Sequence, residues 1–292
     1  MTLRIEGLTK SFDSKTVLND ISFSVDRGEV FGLLGPNGAG KTTMILIILD
    51  ILGPDSGRIS IFGDRLSEAI KDRIGYLPEE SDLYPNVTVR DCIRYFSRLK
   101  GFDATDERID HWLQRMKLGE YGDKSVEELS KGMQRLLHII ISFIHEPDFL
   151  VLDEPFSGLD PVNKELVKDI VLDLKSRGMT IIMSTHQMDE VEKMCDRILM
   201  INKGDQVLYG NLNEIKGRHG SSIVVAYEGE LPPLEDIERV NDYGNFAELI
   251  IGRGADPQAI LRELVERVTI RKFEVKTPSL DEIFIEVVGN EE

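Results

Sequence analysis

Residues 29–43, EVFGLLGPNGAGKTT, decide the fold. Residues 29–34 run apolar after the opening glutamate, as a strand buried on both faces does. The nine that follow fit G-x-x-x-x-G-K-[ST] through Gly35, Gly40, Lys41 and Thr42, and a helix is predicted from Lys41 to about Leu52, ended by Gly53-Pro54. Strand, glycine loop and helix in that order predict a phosphate cradle of the P-loop NTPase type. Gly38 and Gly40 let the backbone curl, so that the chain from Gly35 through Pro36, Asn37 and Ala39 to Thr43 turns its N–H groups towards phosphate oxygens at the positive end of the helix. Lys41 adds a point charge for the β- and γ-phosphates, and the Thr42 hydroxyl is available to Mg2+. ATP and Mg2+ are therefore the expected ligands. A merely structural glycine turn is the alternative.

Working outward, apolar runs alternate with helical periodicity. Residues 149–152 and 180–183 read as buried strands with a helix over 161–176 between them, and 58–62, 73–77, 197–201 and 206–209 as further strands. Such alternation means a parallel sheet with helices on its faces. Residues 3–8 and 17–25 alternate apolar and polar about a turn near Asp13-Ser14-Lys15, which predicts an antiparallel patch beside that RecA-like core. The stretch 86–146 reads as mostly helical, opened by Asn86 or Thr88 as N-cap. A break at residues 213–220 sets this α/β domain, 1–216, apart from a small α+β domain, 217–292. The latter holds strands at 222–227, 246–251 and 269–276 and helices at 257–268 and 278–288, with Asp256 as cap and Pro257 in the first turn. No catalytic motif is visible in it.

Composition limits the partners. A net charge of −17 sets the average surface against a phosphate backbone, so nucleic acid is not an expected partner. The cysteines, Cys92 and Cys195, have neither disulfide nor metal-ligand spacing and read as inert buried thiols. The first residues, MTLRIEGLTKSFD, lack the apolar core of a secretory signal. Apolar runs at 44–52 and 136–144 reach about half the roughly 20 residues that span hydrocarbon, so membrane work must pass through a partner.

Three further motifs belong at the same sheet edge. Residues 149–155, FLVLDEP, end a buried strand in Asp153-Glu154, and ligands of a parallel sheet sit at the carboxyl ends of its strands. There Asp153 holds Mg2+ through water, and Glu154 orients and deprotonates the water that attacks the γ-phosphate. An acidic first helical turn is the plainer reading of that pair. His186 ends the strand of 181–188, where a neutral imidazole can donate to a γ-phosphate oxygen; a surface or core histidine is the alternative. Residues 129–134, LSKGMQ, precede an apolar helix with Ser130 as N-cap and Gly132 open to an anion. This second anion hole is either a simple capped helix or a grip that closes on ATP held by another copy.

The order of these motifs resembles the ATP-binding-cassette family, specifically the ATP-binding subunits of bacterial transporters. Residues 35–43 look like its phosphate loop, 129–134 like its signature, 149–154 like its second nucleotide motif, Ser157-Gly158-Leu159-Asp160 like its dimer-crossing segment and His186 like its switch histidine. The resemblance implies a head-to-tail dimer, either a homodimer or a paired cassette, with two ATP molecules between phosphate loop and opposing signature. It also implies that Phe12 stacks on adenine, where a strand-end core aromatic is the residue-level alternative. Glu79 stands where the family usually has a glutamine, and its carboxylate can still ligate Mg2+; Lys131 and Met133 replace a glycine and a glutamine of the common signature. These variants and the C-terminal extension resemble export-type cassettes that work with six-helix permeases.

The resemblance implies an ATP-hydrolysing subunit at the cytoplasmic face of the cell membrane, held there by an integral-membrane permease. Residues 81–89, with Tyr84 and Pro85 as an aromatic knob, are the expected permease contact, a packed turn being the alternative. A soluble cassette acting on DNA or ribosomes is the runner-up, disfavoured by a single uninterrupted cassette and by the acidic charge. A regulatory cassette without turnover is disfavoured because Glu154 and His186 are both present.

Overall fold

The computed structural model describes residues 1–13, 15–80, 83–234, 236–252 and 255–289. Ser14 of the expected first turn and Ser81 and Asp82 of the expected contact loop lie outside them. The chain divides into two compact units, one ending at Tyr209 and one beginning at Gly210.

In the first unit, β1 (Leu3–Phe12) pairs antiparallel with both β2 (Lys15–Val25) and β4 (Ser56–Ile61). The main sheet has the order β5-β6-β7-β3-β8-β9. It contains β3 (Val30–Leu34), β5 (Ile74–Leu77), β6 (Phe149–Asp153), β7 (Thr180–Thr185), β8 (Arg197–Asn202) and β9 (Asp205–Asn211). Every pairing from β5 to β8 is parallel. All residues of β3, β6 and β7 are buried, so their unbroken apolar runs reflect a sheet covered on both sides. Phe31, Leu33, Val151, Ile182 and Leu199 form one core with Met44 and Ile45 of α1 (Lys41–Ile48).

This strand order positions the site. Leu34 lies beside Thr185, and Asp153 beside Ser184, so β6, β7 and β3 end side by side. The glycine loop, the acid pair and the histidine leave three adjacent strands at one edge.

The helix α1 is shorter than its periodicity predicts. Asp50 takes a φ of +58°, and the N–H groups of Ile51 and Leu52 both turn back to the Leu46 carbonyl, so the apolar run beyond Ile48 packs as a turn. The helical stretch comprises α3 (Val89–Leu99), α4 (Asp106–Arg115) and α5 (Lys131–Phe143), after a short α2 (Glu68–Lys71). Thr88, not Asn86, caps α3, accepting the Asp91 N–H. Trp112 of α4 packs edge-on against Phe143 of α5, with ring centroids 4.5 Å apart. α5 approaches β5 closely at Gly75, where an added Cβ would stand 2.0 Å from the Ser142 carbonyl oxygen. α6 (Pro161–Ser176) is capped by Asp160, and α7 (Met188–Met194) follows the histidine. Cys92 and Cys195 are free and buried, and burial pushes the Cys92 thiol up to about 12. No helix among the described residues is long and apolar enough to cross a membrane.

The second unit opens with α8 (Leu212–Arg218), where the sequence suggested only a break. The Asn211 side chain caps it by accepting from Asn213 and Glu214 N–H groups. Its sheet runs β11-β12-β10-β13: β10 is Ser221–Glu228, β11 Ile237–Asp242, β12 Phe246–Ile251 and β13 Thr269–Lys276. All pairings are antiparallel. Ile223, Val225 and Leu249 pack with Ile260 and Leu264 of α9 (Pro257–Arg267), and α10 (Leu280–Gly289) follows.

Candidate functional site

Gly40 is the N-cap of α1 in a left-handed conformation, φ +112°, and a Cβ there would meet the Val17 carbonyl oxygen at 2.7 Å. Only glycine closes this turn against β2. The Lys41 side chain is buried, and its ammonium donates to the carbonyls of Gly35 at 2.7 Å and Pro36 at 3.2 Å. Burial lowers its pKa, while the carboxylates of Glu154, Asp153 and Glu79 pull it back up. A cation caged by carbonyls inside its own loop is held ready for stronger acceptors such as phosphate oxygens.

Asp153 is almost fully buried. Desolvation raises its pKa, against the hydrogen bond that its Oδ1 accepts from the Ser184 hydroxyl and the pull of the nearby Thr42 hydroxyl. Its Oδ2 has no hydrogen-bond partner. A buried carboxylate oxygen left bare beside a threonine hydroxyl fits a divalent cation carried in with phosphate. Among the described residues no three His, Cys, Asp or Glu side chains converge as a self-sufficient metal cage. That suits an ion sharing its shell with substrate.

Glu154 carries the local strain. Its φ is +47°, a left-handed conformation unusual for glutamate, and its N–H is held by the carbonyl and the hydroxyl of Ser184. The turn takes the chain out of the pleat directly after Asp153, so two successive carboxylates serve one site. The Glu154 carboxylate is 6% exposed. His186 Nδ1 lies 2.9 Å from its Oε1, Thr185 donates to its Oε2 at 3.3 Å, and Lys41 Nζ is 4.0 Å away.

A cavity of about 440 Å³ opens over this arrangement, within the range of small-ligand sites. It is lined by Asn37, Gly38 and Gly40 to Thr43 of the loop, by Glu79 and Glu154, and by Phe12 and Val17. The Phe12 ring is 45% exposed, so it is not a core aromatic. The structure thus brings Lys41, Thr42, Thr43, Glu79, Asp153, Glu154 and His186 to one place. Ser130 and Gly132 do not line this cavity. Ser130 caps α5 by accepting the Met133 N–H at 3.2 Å, and Gly132 lies near the Gly158 carbonyl.

Two participants escaped the sequence reading. Ser184 holds both Asp153 and Glu154, and its position immediately before Thr185-His186 at the end of β7 was the available signal. Arg135 reaches the carbonyls of both acids from α5. A lone arginine opening the apolar run of residues 136–144 could have flagged it.

Comparison with known proteins agrees with this geometry. The ABC transporter family model matches residues 18–157, and the model of the ATP-binding protein DrrA1-3-like C-terminal domain matches residues 210–288. The chain is 40% identical to the uncharacterised ABC transporter ATP-binding protein YhaQ of Bacillus subtilis, with 98% of each chain covered. It is 33% identical to the Nod factor export ATP-binding protein I of Bradyrhizobium diazoefficiens, covering all of this chain and 97% of that one. A solved ATP-binding subunit of an ABC transporter superposes with a TM-score of 0.69 at 30% identity, covering 75% of this chain and 93% of that one. The chain therefore belongs to the ABC transporter family, as an ATP-binding protein in which an ABC ATPase cassette is followed by a DrrA-like C-terminal domain.

Proposed function

We propose that this cassette hydrolyses ATP to drive export through a separate integral-membrane permease, working as a homodimer at the cytoplasmic face of the membrane. The observation that carries hydrolysis is the buried Glu154 carboxylate, aimed into the cavity and fixed by His186. ATP enters with its triphosphate along residues 35–43 and its adenine against Phe12. Lys41 exchanges the Gly35 and Pro36 carbonyls for phosphate oxygens. Thr42 and Asp153, with Glu79 beside them, would hold Mg2+, which supplies charge neutralisation on the phosphates. Glu154 accepts the proton of the attacking water, and His186 keeps that carboxylate in orientation. Ser130 and Gly132 face the ATP of the second copy.

Export is supported by the 33% identity to a Nod factor export ATP-binding protein. The permease contact is supported by Tyr84, 56% exposed, which meets the rings of Tyr95 and Phe96 in an aromatic cluster. Pro85 is exposed beside it. The net charge of −17 argues against nucleic acid.

The test is Glu154→Gln in the full chain. ATP hydrolysis is expected to fall by about a hundredfold or more, with ATP affinity by calorimetry retained. Unchanged turnover would remove Glu154 from the mechanism. For transport, the tagged chain purified from its native membranes should bring down a multi-span protein, and Tyr84→Ala should weaken that association.

A further inference from the structure

Arg135 is the fifth residue of α5 and is 8% exposed. Its Nη1 donates to the carbonyls of Pro78 at 2.7 Å and Glu79 at 3.0 Å. Its Nη2 donates to those of Asp153 at 2.7 Å and Glu154 at 2.8 Å. All four Nη hydrogens are thereby used, while Nε is buried without a partner. The carboxylates of Asp153, Glu79 and Glu154 add their attraction to the guanidinium. One planar fork thus ties the chain just beyond β5 and the end of β6 to the helix whose first turn carries Ser130 and Gly132.

Such a bracket exceeds what core packing requires. A buried arginine costs several kcal/mol of desolvation, and an apolar side chain would fill the space without it. What the guanidinium adds is rigid geometry between two strand ends and one helix. The same peptide units that it grips bear the Glu79 and Glu154 side chains lining the cavity. A peptide is planar and stiff, and Glu154 already sits in a strained conformation, so a backbone adjustment at Glu79 or Glu154 that accompanies nucleotide binding shifts the carbonyl that Arg135 holds.

We infer that Arg135 is a positioning residue that links the occupancy of the chain's own phosphate site to the attitude of α5, and through Ser130 and Gly132 to the ATP gripped on a second copy. The inference rests on the dimeric cassette reading above. Arg135 touches no substrate; it sets where the opposing grip stands. A lysine in its place keeps the charge as a point without the fork, and a glutamine keeps neither charge nor reach.

The experiment uses the full chain carrying Glu154→Gln, so that ATP is bound and not consumed, alone and combined with Arg135→Lys or Arg135→Gln. ATP affinity of dilute protein is measured by calorimetry, ATP-driven dimerisation by sedimentation velocity, and folding by thermal melting. The Arg135→Lys chain is expected to bind ATP within about threefold of its parent but to need about tenfold more protein to dimerise, with a larger loss for Arg135→Gln. Dimerisation at the parental concentration by a folded variant overturns the inference. So does an equal loss of ATP affinity and dimerisation, which would make Arg135 part of its own pocket only. If Arg135→Gln fails to fold, Arg135→Lys decides; if both fail, Arg135 is a core strut and the inference falls. A parent that binds no ATP sinks the cassette reading itself, and one that binds ATP without dimerising sinks the paired arrangement.

Discussion

α1 and α5 both begin at a glycine-bearing turn that leaves backbone N–H groups open to an anion, yet their surroundings differ. At α1 the loop is backed by a buried lysine, a bare carboxylate oxygen on Asp153 and a 440 Å³ cavity with Phe12 in its lining. At α5 the Ser130 hydroxyl is taken up by the Met133 N–H, and Ser130 and Lys131 face solvent. The first site is assembled by the fold itself. The second has a helix end, a glycine and a separate cavity of about 480 Å³ lined by residues that include Lys131, Arg135 and Ser157. Lys41 and Thr42 are not among them, which supports the proposal that its ATP is held on another copy.

The sharpest way to break this contrast is to remove the cation of the first site. Lys41→Ala should weaken ATP binding by about a hundredfold or more in calorimetry, because phosphate then meets desolvated carboxylates without a counter-charge. An intact affinity would mean that the α1 turn is no more a nucleotide site than the α5 turn.

An effect of similar size, on stability and not on binding, is expected just beyond the far end of α5. His145 is buried, its Nε2 lies 3.3 Å from the Ile74 carbonyl oxygen, and its Nδ1 has no partner. Burial lowers its pKa from 6.5 to about 4. The folded chain therefore keeps this imidazole neutral where the unfolded chain takes up a proton. Stability should fall as pH drops from about 6.5 towards 4, by on the order of 3 kcal/mol at the limit. Denaturation curves of His145→Gln across that window should be flatter than those of the parent. Parallel curves would deny His145 any part in acid unfolding.

The smallest effect belongs to the second anion turn. Ser130→Ala removes one cap and should cost about 1 kcal/mol of stability in urea denaturation. ATP affinity of the isolated chain should stay within about twofold, since Ser130 does not line the cavity. An affinity loss as large as that of Lys41→Ala would erase the distinction between the two turns.

The same contrast explains what could be read from the sequence. The α1 site is gripped by contiguous residues, so Gly35 to Thr43 announced it without any knowledge of neighbours. Asp153-Glu154 and His186 were legible because continuous apolar runs marked their strands and the carboxyl-end rule gave their edge. The side-by-side order of β6, β7 and β3 was not legible, because nothing local records which strands pair. The left-handed backbone of Glu154 was hidden for a similar reason: it is imposed by Ser184 on another strand. β11 was overlooked because its residues are mostly exposed and charged, leaving no alternation of period two. α1 was read too long because an apolar run looks the same whether it continues a helix or packs as a turn behind Asp50.

The close approach at Gly75 has a mechanical consequence. Even one methyl group there must push the Ser142 end of α5 away from the sheet. A helix transmits such a push as a rod does, and Ser130 lies roughly 18 Å along it. A purely steric change at the buried end of the helix, altering no charge and touching no ligand, would then tilt the helix start that the proposed dimer turns towards a second copy.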